Sequence, residues 1–156
     1  SQCPIGSKIN FVTHSMGGIL VRQYLSTKNI ENLDRVIMLG PPNQGSQVVD
    51  TLKKVPGFKL INGPAGMQLG TGEMSIPKRL GAAKFDVGVI AGTRSINLLL
   101  SMLLPSPDDG KVSVENTKLE GMTDHIALPV THPFMMNNKR VINQVLYFLQ
   151  SGMFKR

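Results

Sequence analysis

The feature that most constrains this chain is the stretch 9–18, in which an apolar run ends abruptly at a serine among small residues. It reads Ile-Asn-Phe-Val-Thr-His-Ser-Met-Gly-Gly, and a helical pattern follows over residues 19–25. A strand, a sharp turn at a serine and a helix form a nucleophile elbow, which raises the serine hydroxyl above the end of a sheet. Gly17 and Gly18 leave room for the close approach of strand and helix. The pattern predicts that Ser15 is a nucleophile.

One position departs from the usual elbow pattern, Gly-x-Ser-x-Gly, because Thr13 stands where the first glycine is expected. Threonine suits the end of a strand but crowds the following helix more than glycine does. An alternative interpretation is that Ser15 caps an ordinary helix. The flanking strand and helix favour the elbow.

The length of the chain sets its organisation. A chain of 156 residues is long enough to bury one core. Its composition, 41% apolar and 17% charged residues, is typical of a globular protein. We predict a single partial domain over residues 1–156, with an irregular Gly- and Pro-rich insertion around 56–84 and no internal repeat. Cys3 is the only cysteine, so no internal disulfide is possible.

The charge of the chain bears on its partners. The net charge is +7, but lysine and arginine are scattered and form no stripe interleaved with aromatic residues. We therefore expect no nucleic-acid binding. No run of eighteen apolar residues occurs, so no transmembrane segment is predicted. The start of the chain shows no signal-peptide pattern, and the sequence leaves localisation open.

The order of the predicted elements indicates the fold class. Strands are predicted at 8–13, 35–39, 85–92 and 125–130. Helices are predicted at 18–28, at 47–54 after a capping Ser46, and from Asn137 or Asn138 to Gly152. The apolar segment 95–104 is interpreted as a core helix, with a lid or acyl-chain wall as the alternative. Strand–helix–strand order predicts an α/β fold with a mostly parallel sheet flanked by helices.

A nucleophilic serine needs a base to take its proton and an acid to orient that base. After an elbow, the acid follows a later strand and the histidine follows the last one. His132 occupies the place of the base, on a loop before the last helix. His14 is expected to pack beside the elbow, and His125 to form a surface pair with Asp124.

Two neighbouring carboxylates compete for the role of the acid, Asp108 and Asp109. We prefer Asp109, because the glycine after it allows a tight turn that aims its carboxylate inward. The resulting order is Ser15, Asp109, His132, which is the order of the α/β-hydrolases.

Other candidate residues lie near the elbow and the next strand end. Ligand-facing loops lie at the C-terminal ends of parallel strands, so we predict Asn43, Gln44 and His14 as substrate-binding residues. The backbone N–H of Met16 is the predicted oxyanion donor. No cofactor and no metal are predicted, because the histidines are not at ligand spacing.

Three stretches carry a family resemblance. Thr-His-Ser-Met-Gly-Gly at 13–18, Gly-Pro-Pro-Asn-Gln-Gly-Ser at 40–46 and Pro-Asp-Asp-Gly-Lys-Val at 107–112 resemble the elbow, the loop after the next strand and the acid turn of one superfamily. These are bacterial lipases and esterases of the α/β-hydrolase superfamily, and GPI-inositol-deacylase-like hydrolases. The resemblance implies a lipase- or esterase-type serine hydrolase that cleaves acyl esters or lipids through Ser15, His132 and Asp109.

The resemblance also implies that this stretch corresponds to the C-terminal half of the fold and lacks the N-terminal strands. A second oxyanion donor would then come from elsewhere, and the elbow strand would lie at a sheet edge. We therefore expect either that the chain is a fragment, or that a partner chain, an oligomer or an unusual pairing covers that edge. Two alternatives remain at this point, an acyltransferase and a catalytically silent half-domain that serves as a binding or assembly module.

Overall fold

The computed structural model describes residue 4 and residues 6–52, 68–95 and 104–156. The strands are β1 (Ile9–His14), β2 (Leu33–Leu39), β3 (Val87–Gly92) and β4 (Asp124–Leu128). The helices are α1 (Met16–Thr27), α2 (Gln47–Leu52), α3 (Ile76–Arg79), α4 (Val114–Thr117) and α5 (Lys139–Ser151). A 3₁₀ helix, His132–Asn137, directly precedes α5.

The four strands form one sheet in the order β1-β2-β3-β4, and every neighbouring pair is parallel. At the centre of the sheet, Ile37 of β2 is in register with Val12 of β1 and Gly88 of β3. Parallel neighbours need a crossover connection, and α1 supplies it between β1 and β2. The predicted parallel α/β architecture is confirmed.

Both faces of the sheet are covered, as the apolar runs of its strands require. In β2, Val36 and Met38 belong to the core on the α1 side, which includes Val21 of that helix. Ile37 and Leu39 belong to the core on the α5 side. Because side chains alternate between faces, a strand buried on both sides needs a continuous apolar sequence.

The last helix begins and ends where its sequence predicts. Asn138 caps α5, since its side-chain oxygen accepts hydrogen bonds from the N–H groups of Arg140 and Val141. Gly152 follows the helix in the left-handed conformation, with φ of 79°. On the face towards the sheet, Phe148 is fully buried.

Some boundaries differ from the predicted ones. Strand β4 ends at Leu128, because the following Pro129 cannot donate to a strand ladder. The hydroxyl of Ser46, expected to cap α2, donates instead to the carbonyl oxygen of Lys111 at 3.0 Å. Of the predicted insertion, the described part contains the short helix α3. Residues 53–67 and 96–103, which include most of the predicted apolar helix, lie outside the described residues.

The β1 edge of the sheet presents apolar side chains. Within the described residues β1 pairs with β2 alone, and Val12 is 49% exposed. On α5, the exposed side chains of Ile142 and Leu146 line the same pocket as Val12. On α1, the side chains of Leu20 and Tyr24 are also exposed. In the described part of the chain, no helix is long and apolar enough to cross a membrane.

The carboxylate of Asp124 ties the end of the chain to β4. It accepts hydrogen bonds from the N–H of Phe154 at 2.8 Å and from the guanidinium of Arg156 at 2.5 Å. Burial alone raises the pKa of Asp124, but these bonds and the N–H of His125 outweigh it, so the pKa lies below its ordinary value.

We expect Asp124→Asn to lower the free energy of unfolding by about 1–2 kcal/mol at neutral pH, because hydrogen bonds to a charged group are lost. A carboxyl group whose pKa is depressed on folding stabilises the protein above its unfolded pKa. The contribution is lost as pH falls through the folded pKa. Urea unfolding of the wild type and the variant between about pH 7 and pH 2.5 measures this pH-dependent difference in the free energy of unfolding.

The matched control is Glu73→Gln, because the Glu73 side chain is 85% exposed in its ion pair with Lys78. We expect that change to alter stability by less than about 0.5 kcal/mol. An Asp124→Asn penalty that is as large at acid pH as at neutral pH would contradict the assignment.

Candidate active site

The turn at Ser15 joins the first strand directly to the first helix. Ser15 has φ of 55° and ψ of −126°, and it is the only non-glycine residue with positive φ in the described part of the chain. Its N–H donates to the carbonyl oxygen of Leu39 at 2.8 Å, which fixes the turn to the end of β2. Backbone in such a sparsely populated region is costly and is held only by its surroundings.

Of the two glycines after the serine, Gly18 is the one that this turn requires. A Cβ atom on Gly18 would lie 3.1 Å from Cβ of Pro41 and 3.2 Å from the sulfur of Met38. A Cβ atom on Gly17 would lie 3.4 Å from Cβ of Thr13, which is an ordinary contact. The close approach of α1 to β2 therefore depends on Gly18, and Thr13 is accommodated without a glycine in its place.

The side chains of Ser15, His132 and Asp109 form a continuous hydrogen-bonded series. Nε2 of His132 lies 2.9 Å from Oγ of Ser15, and Nδ1 of His132 lies 2.7 Å from Oδ2 of Asp109. Asp109 is fully buried and His132 nearly so. An ionised Asp109 can only accept, so it places the imidazole proton on Nδ1 and leaves Nε2 to accept the serine proton.

The turn before α4 aims one carboxylate at the histidine. Oδ1 of Asp109 accepts from the N–H groups of Lys111 and Val112 at 3.0 and 2.8 Å, while Oδ2 contacts His132. Oδ1 of Asp108 instead accepts from the N–H of Gly110 at 2.7 Å. The structure thus brings Asp109, the preferred of the two candidates, to the histidine.

Gly40, at the end of β2, is a site residue that the sequence analysis missed. Its φ is 54°, and a Cβ atom there would lie 3.0 Å from both Oδ2 of Asp109 and Nδ1 of His132. The position therefore needs glycine for its conformation and for space. The sequence feature that could have indicated this role is a glycine at the end of a buried strand, immediately before two prolines.

The first turn of α1 offers a donor beside the serine. Met16 is the first helical residue, so the helix supplies no backbone acceptor for its N–H. The positive end of the helix dipole also favours an anion there. A second donor is expected from a loop that follows an earlier strand. Within the described residues β1 is the first strand, so they contain no such loop.

His14 contacts the histidine of the series from the strand side. Its Nε2 lies 3.0 Å from the carbonyl oxygen of His132, and the two ring centroids are 4.6 Å apart. Since a carbonyl only accepts, Nε2 of His14 carries the proton. Burial lowers the pKa of His14, and neighbouring His132 lowers it further, so His14 is neutral at pH 7.

The prediction that Asn43 and Gln44 bind substrate needs correction for Asn43. This residue is 1% exposed; its Nδ2 donates to the carbonyl oxygen of Thr117, and its Oδ1 accepts from Arg22. A buried amide must find such internal partners, so Asn43 holds the loop 40–46 in place. Gln44 is half-buried and donates to the carbonyl oxygen of Lys118 at 3.2 Å.

Arg22 is a second residue that the sequence analysis missed. It is 4% exposed, and its guanidinium donates to both oxygens of Asn43 and to the carbonyls of Pro77 and Gly81. Burial lowers its pKa to about 10, which leaves it charged at neutral pH. The side chain thus ties α1 to the loop 40–46, to α3 and to the turn after α3. The sequence feature that could have indicated this role is an arginine directly after the apolar run 19–21.

The predicted surface pair of His125 with Asp124 is wrong. The His125 ring lies 3.0 Å from the hydroxyl of Thr117. The Asp124 carboxylate contacts Phe154, Arg156 and only the backbone N–H of His125. The physical reason is that successive side chains of a strand point to opposite faces of the sheet.

Comparison with known proteins adds the fold family. No family model matches the sequence, and no curated protein matches it either. Among solved structures, the mature form of the Bacillus licheniformis lipase BlEst2 superposes with a TM-score of 0.70 at 22% identity, covering 92% of this chain and 66% of that one. Phospholipase PlaB from Legionella pneumophila, in complex with thio-NAD, gives 0.68 at 18% identity, covering 94% and 42%. The chain has the α/β-hydrolase fold.

The predicted fold class is therefore confirmed. The chain spans 66% of the length of mature BlEst2 and 42% of that of PlaB. At these identities the likeness establishes the fold, and the chemistry of the site has to be argued from its own residues.

We expect Gly40→Ala to separate Asp109 from His132, because the added methyl group needs the space that both side chains occupy. The strain of positive φ costs on the order of 1 kcal/mol, and displacing the buried pair adds to it. The measurements are the free energy of unfolding and the low-field proton resonance of the His132 Nδ1–H group.

Gly81→Ala is the matched control, since Gly81 also has positive φ (63°) but a Cβ atom there meets nothing within 4 Å. That variant should show the strain penalty and keep the low-field resonance. Equal penalties and an unchanged resonance in both variants would contradict the role given to Gly40.

Proposed function

We propose that this protein is a serine hydrolase that cleaves carboxylic esters of acyl groups. The observation that supports this most directly is the series from Ser15 through His132 to Asp109, with contacts of 2.9 and 2.7 Å. In the first step Oγ of Ser15 bonds to the ester carbonyl carbon while Nε2 of His132 takes the hydroxyl proton. The carbonyl oxygen becomes an oxyanion, to which the N–H of Met16 donates.

The second half of the reaction releases both products. The imidazolium of His132 gives its proton to the leaving alcohol as the C–O bond breaks, which leaves an acyl group on Ser15. Water then attacks the acyl carbonyl carbon while Nε2 of His132 takes a proton from the water. His132 returns that proton to Oγ of Ser15 as the bond between Oγ and the acyl group breaks, and the free acid departs. Asp109 stays ionised throughout and balances the positive charge on His132.

The proposed substrates are esters of apolar acyl groups, such as lipids. Support comes from the two similar structures, which are a lipase and a phospholipase. Acyl transfer uses the same acyl-enzyme with an alcohol in place of water, and it remains an alternative outcome of product analysis.

A second candidate function rests on the β1 edge. Because Val12 is half-exposed beside the apolar side chains of Ile142 and Leu146, this edge resembles the interior of a larger sheet rather than a finished border. We propose that a partner chain or a second copy covers it and brings the second oxyanion donor. On this view the chain by itself is a silent binding or assembly module.

Treatment with a fluorophosphonate, followed by intact-mass spectrometry, tests the proposed reaction. We expect one adduct on the wild type and none on Ser15→Ala. His132→Ala should slow labelling on the order of 10⁴-fold or more, and Asp109→Asn on the order of 10⁴-fold, because each breaks the series.

Two matched controls are available in the same chain. Asp108→Asn changes the neighbouring carboxylate, and His125→Ala removes a half-buried histidine outside the series, so both should label at nearly the wild-type rate. A folded wild type that gives no adduct would contradict the hydrolase proposal for the chain alone. Native mass spectrometry of the same sample then reports whether a second copy covers the edge.

A further inference from the structure

The backbone of His132 is held at two points, one on each side of its imidazole. Its N–H donates to the carbonyl oxygen of Asp109 at 3.0 Å, and its carbonyl oxygen accepts from Nε2 of His14 at 3.0 Å. Asp109 is itself a member of the series, and His14 is covalently next to Ser15. The base is therefore tied through its main chain to the strand that carries the nucleophile and to the turn that carries the acid.

We propose that His14 is a positioning residue for the reaction proposed above: its Nε2–H group holds the His132 backbone at the spacing that puts the imidazole within reach of Ser15. The inference rests on the proposed function for its catalytic consequence, but the hydrogen bond itself can be tested without any reaction.

The position of His14 in the fold fits this role. It is the last residue of β1, so its backbone is fixed by the sheet, whereas His132 begins the 3₁₀ helix that follows the last strand. Catalytic side chains often lie on loops, and a loop is placed by its contacts with the rigid sheet. The hydrogen bond from His14 is such a contact for His132. The contact of 4.6 Å between the two ring centroids adds packing to the hydrogen bond.

The protonation state of His14 is compatible with the chemistry of its neighbour. Burial and the nearby His132 keep His14 neutral at pH 7. A neutral ring with its proton on Nε2 can donate to the carbonyl without placing a second positive charge beside the imidazolium that forms on His132 during reaction. The Nε2–H group is occupied by the protein, so the bond explains His14 better than the predicted substrate contact does.

The hydrogen bond is tested first on the unmodified protein. Nitrogen-15 NMR of the histidine side chains distinguishes the two neutral tautomers, and we expect His14 to be neutral with its proton on Nε2. A proton on Nδ1, or a His14 ring that is charged at pH 7, would overturn the inference whether or not the protein has activity.

The positioning role is tested by two substitutions, with labelling of Ser15 by a fluorophosphonate as the readout. His14→Phe keeps a flat ring but has no donor, and we expect the rate constant to fall on the order of 10- to 100-fold. His14→Gln has an amide nitrogen the same number of bonds from Cβ and should restore the rate to within about threefold. Melting temperatures, measured alongside, report any loss of folding.

The outcomes separate this inference from the proposed function. A wild type that does not label refutes the proposed hydrolase activity, and the tautomer measurement still decides whether the bond exists. If the wild type is labelled and a folded His14→Phe variant is labelled equally fast, the positioning role alone is refuted. Failure of His14→Gln to recover the rate lost in His14→Phe also refutes it, because the donor is then not what matters.

Discussion

The site depends on one constraint: β1 must stop and α1 must begin at a single residue, Ser15, with φ of 55°. That conformation is held by the hydrogen bond from its N–H to Leu39 and by the space that Gly18 leaves against Pro41. Because all four strands are parallel, their C-terminal ends lie along the same border of the sheet. The segments that follow β3 and β4 therefore reach the same border, and they carry Asp109 and His132 to the serine.

Much of this arrangement could be predicted from residue types and their order. The abrupt change between a strand and a helix predicts the serine, and the glycine after Asp109 favours that residue over Asp108. Asn43 could not be predicted correctly, because a polar residue at a strand end looks the same in sequence whether it faces a ligand or a buried partner. Gly40 and Arg22 act through contacts with segments far along the chain, which a linear pattern does not reveal.

The edge of β1 that is unpaired within the described residues lies close to the reacting serine. The strand that presents Val12 at the edge also carries His14 and leads into the serine. A segment that covered this edge would lie near the donor N–H of Met16, where a second donor is needed for an oxyanion. The internal contacts of the series are complete without such a segment, as the placement of His132 between Ser15 and Asp109 shows. Binding of the transition state, rather than assembly of the three side chains, is where a covering segment would contribute.

The most direct test of the central claim is a crystal structure of the protein after reaction with a fluorophosphonate. The account predicts phosphorus bonded to Oγ of Ser15, a phosphoryl oxygen within about 3 Å of the Met16 nitrogen, and His132 still bonded to Asp109. An unmodified Ser15, or an adduct whose phosphoryl oxygen points to solvent away from Met16, would contradict it.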